Sequence, residues 1–472
     1  MSRSGRYVVG LVVTVALAAA PWSVGVAATG TGETFGTVAF VHVNVLPMDR
    51  ERVLEDQTVV VRGGRIVAVG PAAEAEVPAA ATRIDGRGKY LVPGVAEMHG
   101  HYPQQVESQF FEDILFLYVA NGVTMVRGMQ GGPQHLPLRY AIERREVLGP
   151  RLWVSAPMLV GRGSSAVTSV QEAEKRVREA KAAGFDHLKV HEGLSAEVYA
   201  AIATTAAEVG ISFSGHVSNH VGLFKALESG QETIDHLDNF LEAMVEDQEA
   251  IANLGLFDLG RLAGQIDDSK IEQVVAATKA AGAGVVPTMA LWEALFGSRS
   301  GAEWLQLRPE TRYMPAAMVE RWVSATDQRV EQFGQDPEAI ANILALRRRV
   351  LKALHEAGVP VLLGTDSPQI FSVPGFSIHH EMQVMVELGM SPYDVLEAGT
   401  RRVAEFYGES WDFGTVAVGQ RADLVLLESN PFDDIAHFAD RAGVMVNGRW
   451  IDQREIEQRL AQIAQRVAAT GS

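Results

Sequence analysis

From residue 90 to residue 366 the sequence alternates short, almost wholly apolar runs with longer stretches whose apolar residues recur at helical spacing. The runs span 90–101, 123–129, 151–158, 187–192, 211–217, 232–237, 285–291 and 360–366, and helical stretches at 171–183, 196–209, 221–228 and 271–281 lie between several of them. A strand that is apolar on both faces has to be covered on both, which is the mark of a parallel sheet flanked by helices. Eight β-then-α units over ~300 residues fit a closed (β/α)8, TIM-like barrel better than an open doubly wound sheet. One interval is long: residues 292–350 part the seventh and eighth runs, enough chain for extra helices overhanging a barrel mouth.

The ends read as β structure. Val59-Val60-Val61, a Gly63-Gly64 turn and Ile66-Val67-Ala68-Val69 form one hairpin pattern, and Val444-Met445-Val446, Asn447-Gly448 and Arg449-Trp450-Ile451 form another. Two β-rich ends around an α/β middle suggest a small composite β-sandwich domain from residues 29–90 and 406–455, around a barrel at 91–405, with 456–472 as a C-terminal helix or tail. Periodicity does not separate this from two independent flaps. Residues 1–28 are set apart by Arg3 and Arg6, an apolar run over 8–20 and small residues at Val26-Ala27-Ala28. That is a signal peptide pattern, predicting export to the periplasm or medium. The run is shorter than the ~20 residues a spanning helix needs, so stable membrane insertion is not expected; an uncleaved anchor is the competing reading.

The absence of cysteine excludes disulfides, thiolate metal ligands and lipid attachment through a cysteine. A net charge of −17 argues against nucleic acid and anionic membrane surfaces as partners. A small-molecule substrate is expected, and a homo-oligomer is left open.

Polar residues at the ends of apolar strands need a reason, because a buried polar group without a partner is costly. His99-Gly100-His101 closes the first run. Positions i and i+2 of a strand point to one side, so both imidazoles face one point at the end where barrel active sites lie. His216 closes the fifth run, His236 the sixth and Asp366 the eighth. A hydrogen-bonded core residue explains any one of them, but five converging at strand ends point to a metal site. Nitrogen and oxygen ligands without sulfur suit zinc, manganese or cobalt. In the fourth run residues 187, 189 and 191 share a face, which adds Lys189 as a sixth candidate. An ammonium beside cations is repelled and disfavoured by desolvation, so Lys189 has to be neutral, solvated at the rim, or converted to an anion.

Together these residues resemble the amidohydrolase superfamily, in its imidazolonepropionase-like and prolidase-like branch. The resemblance runs from Pro93-Gly94 and His99-Gly100-His101 through Lys189, His216, His236 and Gly364-Thr365-Asp366-Ser367. It continues in Glu381, Glu387-Leu388-Gly389-Met390-Ser391-Pro392, Ala398-Gly399-Thr400 and Gly419-Gln420-Arg421-Ala422-Asp423-Leu424. It implies a barrel with a composite β domain and a carbamate on Lys189 bridging two divalent metal ions, zinc first. His99, His101 and Asp366 would hold one ion, and His216 and His236 the other. Two departures leave substrate preference open: Gly128 stands where relatives usually carry an acidic residue, and Asp235 replaces a common Glu.

Two ions ~3.5–4 Å apart would share a bridging water and lower its pKa, generating a hydroxide to attack a polarised carbonyl. Asp366 would act as general base and pass the proton to the leaving nitrogen. The expected activity is hydrolysis of an amide-type C–N bond in a small dipeptide or N-acyl amino acid. A cyclic-amide or lactone hydrolase, or a deaminase, is the alternative within the superfamily; a non-catalytic secreted metal-binding protein is the alternative outside it. Arg127, His191 and His379 are expected at the rim, holding a terminal carboxylate by charge-assisted hydrogen bonds, with Tyr102 and His380 as further contacts.

Overall fold

The computed structural model describes residues 36–247, 251, 264–333 and 337–470; the expected export segment 1–28 lies outside them. Strands β1 (Val38–Val45), β2 (Leu54–Arg62), β3 (Arg65–Pro71), β4 (Thr82–Asp85) and β5 (Tyr90–Pro93) share one sheet with β13 (Leu424–Leu427), β14 (Arg441–Val446) and β15 (Arg449–Asp452). Its order is β15-β14-β13-β5-β1-β2-β3, with β4 beside β1. Both ends of the chain thus meet in it, β5 running parallel to β1 and antiparallel to β13. These strands are joined by hydrogen bonds into one eight-stranded sheet, with β1 paired to β2, β4 and β5. The hairpins turn where their residues predict. Arg62 pairs with Arg65 across Gly63 and Gly64, and Val446 with Arg449 across Asn447 and Gly448. All four turn residues have positive φ, the type I′ geometry that matches strand twist.

The parallel strands form two sheets. One contains β6 (Val95–Gly100), β7 (Val123–Gly128) and β8 (Arg151–Val154); the other contains β9 (His187–Val190), β10 (Ser212–Gly215), β11 (Thr233–Asp235) and β12 (Gly284–Val286). Two isolated bridges, Ser155 with His187 and Leu159 with Val190, join them. The expected eighth strand, 360–366, makes one bridge only, Val361 with Val285. The regular ladders therefore do not close into a ring of eight. Locally, the Leu363 N–H is given to the Ala398 carbonyl (3.1 Å) of helix Pro392–Gly399, and Asp366 has φ 60°, outside the β region. The segment is nonetheless tied to β6: Met98 N–H donates to Leu363 O (2.9 Å), Asp366 N–H to His99 O (2.7 Å) and His101 N–H to Ser367 O (2.8 Å).

Two other expected strands are revised. The first run divides at Gly94, where the chain passes from the mixed sheet to the parallel one; a Cβ there would stand 2.3 Å from Thr124, so only glycine fits. The run at 285–291 ends at Val286, and helix Met289–Phe296 begins almost at once. The buried Glu381 carboxylate accepts the N–H groups of Met289 (2.9 Å) and Ala290 (2.7 Å), satisfying donors the helix leaves open. Beyond it, Gly301–Leu307, Ala316–Phe333 and Pro337–Glu356 fill the long interval with helices. Among the described residues no helix is long and apolar enough to cross a membrane.

Candidate metal centre

His99, His101, Lys189, His216, His236 and Asp366 all line one cavity of about 660 Å³. They arrive from the C-terminal ends of β6, β9, β10 and β11 and from the segment 360–366. Ring centres lie 4.4 Å apart for His99 and His236, and 4.5 Å apart for His216 and His236. Lys189 Nζ is 3.0 Å from His99 Nε2. Asp366 reaches three imidazoles: Oδ1 is 2.7 Å from His101 Nε2 and 3.6 Å from His99 Nε2, and Oδ2 is 3.7 Å from His236 Nε2. His236 and Asp366 both have positive φ, 62° and 60°, an uncommon backbone state that the surrounding hydrogen bonds hold.

Three of the imidazoles meet a polar group at Nδ1, His216 and His236 in hydrogen bonds and His99 in a close ion-pair contact without hydrogen-bond geometry. His99 lies 2.7 Å from Asp235, His216 lies 2.7 Å from Asp238, and His236 lies 2.9 Å from the Thr288 hydroxyl. Partners at Nδ1 fix the ring and leave Nε2 for the cluster, the arrangement usual behind metal-ligating histidines. The buried His236 Nε2 has no hydrogen-bond partner, which a cation ligand would explain. Burial holds His99 and His236 well below the ordinary histidine range and His216 at about 3, keeping them as the neutral bases that bind metals. Burial also draws Lys189 down to about 8. The donor atoms of His99, His101 and Asp366 fall within 4.8 Å of one another, as do those of Glu192, His216 and Asp238. The residues fit a divalent metal with nitrogen and oxygen ligands.

The expected substrate contacts divide. Tyr102 and His191 line the cavity. Arg127 does not: its fully buried guanidinium donates to Met98 O, Ser214 Oγ (3.2 Å), Thr233 Oγ1 (3.1 Å) and both Asp235 oxygens (3.2 and 3.1 Å). A strand alternates its faces, and residue 127 points down between the strands instead of up to the rim. His379 is also away from the cavity, buried with Nε2 3.1 Å from Asn121 Oδ1 and 3.2 Å from an Arg441 nitrogen. His380 pairs with Glu310 at 2.7 Å. His187, on the face of Lys189, lies deeper, 3.4 Å from the Met129 sulfur.

Sequence reasoning missed the supporting residues. Asp235 had registered only as a replacement and Asp238 not at all, although both flank His236 within two positions. Buried Glu97 accepts the N–H groups of His99 (2.9 Å) and Thr365 (2.8 Å), fixing β6 against the Asp366 segment. Gly128 has a physical reason: a Cβ there would stand 2.0 Å from the Tyr102 hydroxyl, so Tyr102 occupies the space a side chain would need. The roof was foreseen only as extra helices. Its Leu291, Trp292, Leu295, Met318 and Arg329 line the cavity, and Arg347 ties it down, lying over the Trp292 ring and donating to His236 O.

Parallel strands presenting a nitrogen-and-oxygen donor set at their C-terminal ends, under a helical roof, define an α/β protein with a candidate metal centre. The chain belongs to the amidohydrolase family, whose profile matches residues 90–451. It is 33% identical over 91 residues to imidazolonepropionase of Shouchella clausii, covering 18% of this chain and 19% of that enzyme. It is 34% identical over 112 residues to ochratoxinase of Aspergillus niger, covering 23% of this chain and 22% of that enzyme. These matches therefore span about a fifth of either relative. In fold, it resembles the crystal structure of a Xaa-Pro dipeptidase with a TM-score of 0.64 at 16% identity, over 88% of this chain and 100% of the other.

Proposed function

We propose that this protein is a metal-dependent hydrolase that cleaves an amide-type C–N bond in a small substrate, a dipeptide or N-acyl amino acid. The observation that carries the reading is the Asp366 carboxylate, set among His99, His101 and His236 at the floor of a roofed cavity. Family membership and the likeness to a dipeptidase support it. His99, His101 and Asp366 would hold one ion and His216 with His236 a second, zinc first, with Lys189 between them as a carbamate. When bound, such ions acidify water and polarise a carbonyl. Asp366 takes a proton from water, whose oxygen bonds to the acyl carbon. The C–N bond breaks, the proton passes to the departing nitrogen, and an acid and an amine result. Lys189 suits its role because burial favours the uncharged amine, the form that adds carbon dioxide.

The two parallel sheets are read as parts of one barrel wall, since the segment 360–366 bonds to both flanks, Leu362 N–H donating to Val285 O (2.9 Å). Residues 1–28 are read as an export signal, which N-terminal sequencing of secreted or periplasmic material tests. For the activity, the metal-loaded protein is assayed on dipeptides, N-acyl amino acids, cyclic amides and lactones. Turnover of the first two groups, lost on chelation and restored by zinc, is expected. Turnover confined to cyclic amides or lactones would overturn the assignment.

A further inference from the structure

The cavity holds two carboxylates of different standing: among the described lining residues only Asp366 and Glu192 are acidic. Asp366 belongs to the donor cluster, within reach of His99, His101 and His236. Glu192 stands just past the end of β9, and the backbone there is pinned on both sides. Its N–H donates to His191 Nδ1 (2.8 Å), and its carbonyl accepts the Gly161 N–H (3.0 Å). One oxygen of its carboxylate lies within 4.8 Å of a His216 ring nitrogen and of an Asp238 oxygen. Asp238 is satisfied, 2.7 Å from His216 Nδ1 and accepting the Val217 N–H (3.4 Å). Glu192 is not. It is half-buried, and among the described residues no hydrogen bond or ion pair reaches its carboxylate. Arg162 acts on its charge from an exposed position without pairing with it. A carboxylate taken partly out of water needs a cationic or donor partner to offset its desolvation, and here the partner has to come from the cavity.

We propose that Glu192 is a specificity-determining residue that holds the free α-ammonium of the substrate's first residue, so that the substrate is an unblocked dipeptide and not an N-acyl amino acid. This rests on the amide-hydrolase reading and narrows its substrate class. The acyl carbon has to lie against the donor cluster to be attacked, and in a dipeptide the α-nitrogen is two bonds from that carbon, about 2.5 Å away. Glu192 shares the His216 side of the cluster, so one pose sets the carbon at the cluster and the ammonium against Glu192. An ammonium brings three donors and a charge to a carboxylate that lacks both. Gln104, Gln105, Gln130 and Gln369 also line the cavity, but they are uncharged and offer an ammonium no ion pair. The acyl half of an N-acyl amino acid carries no cation and would leave Glu192 enclosed and unpaired, so the same residue that favours an amine disfavours its absence.

The test compares leucyl-phenylalanine with 4-methylpentanoyl-phenylalanine, and alanyl-proline with propionyl-proline, pairs that differ only in the α-amine. Hydrolysis is followed on zinc-loaded wild type, Glu192→Gln and Glu192→Asp. Calorimetric titration with the products leucine and 4-methylpentanoate reads the same contact without turnover, and elemental analysis gives the zinc content of each variant. Wild type should prefer the amine-bearing member by about 10–100-fold in kcat/KM, the range of a charge-assisted hydrogen bond. That ratio should fall to near one in Glu192→Gln and recover in part in Glu192→Asp, with zinc content unchanged. Hydrolysis with a ratio unmoved by Glu192→Gln, or a wild type that prefers the amine-free member, overturns this subsite and leaves the hydrolase reading in place. Zinc lost from Glu192→Gln also overturns it, since the carboxylate would then be a metal ligand. Leucine binding that exceeds 4-methylpentanoate binding and depends on Glu192, without hydrolysis of any amide, would leave the subsite standing and overturn the hydrolase reading.

Discussion

Replacing Arg127 with methionine separates a structural arginine from a substrate-binding one. In the fold Arg127 and Asp235 form an ion pair with side-chain exposures of 1% and 0%. Methionine keeps much of the apolar stem and removes the guanidinium, so Asp235 loses two hydrogen bonds and stays buried, with the Thr233 hydroxyl at 2.5 Å and His99 at 2.7 Å as its remaining partners. Breaking a buried pair by removing one partner costs about 3–5 kcal/mol. Counting the two lost bonds to a charged group at ~1.5–3 kcal/mol each gives ~3–6 kcal/mol, which overlaps that range. Urea unfolding of the metal-free protein, followed by far-UV circular dichroism, reads the loss as the shift in midpoint multiplied by the slope. A loss of that size is expected, together with weaker metal binding, because Asp235 also holds His99. Stability within ~1 kcal/mol of wild type, combined with a KM rise confined to carboxylate-bearing substrates, would refute the reasoning and return Arg127 to the substrate site.

Three further outcomes are expected. Lys189→Ala should abolish activity and lower metal occupancy, with partial rescue by short-chain carboxylic acids; an unmodified lysine in a high-resolution structure of the fully metallated, active protein would count against a carbamate. Asp366→Asn should keep the fold and much of the metal while losing ~10²–10⁴-fold in kcat, the range of general-base catalysis, and near wild-type kcat would remove it from proton transfer. Asp238→Ala, which frees His216 Nδ1, should weaken metal affinity by about 10–100-fold in a competition titration with a chromogenic chelator, and unchanged affinity would leave that contact without a role.

The six cluster residues were legible in the sequence because strand ends impose a rule: a polar side chain closing an apolar strand has few destinations. His99, His216, His236 and Asp366 each obeyed it, and the cavity receives all of them. Arg127 failed under the same rule, since it too stands near a strand end but points below the cluster, and periodicity fixes a face without fixing which way that face looks. His379 failed for want of tertiary information, its partners Asn121 and Arg441 being distant in sequence. The hairpins were readable from Asn447-Gly448 and Gly63-Gly64, whose positive φ is a local property. The eighth strand was not. Its irregular pairing comes from the long-range contact of Leu363 with Ala398 and from the left-handed turn at Asp366, neither of which an apolar run announces. Asp238 went unread, and Asp235 was read only as a replacement, because a carboxylate beside a histidine is common on surfaces and only burial reveals its partner.

The central claim is that the floor of this cavity is a two-metal site. Its most direct test is elemental analysis of the purified protein after reconstitution with zinc and exhaustive dialysis, with a His99→Ala/His236→Ala double variant in parallel. The account predicts about two zinc ions per wild-type chain and a marked loss in the variant. A wild-type protein that retains no metal after reconstitution, or a variant that binds as much as wild type, would contradict it.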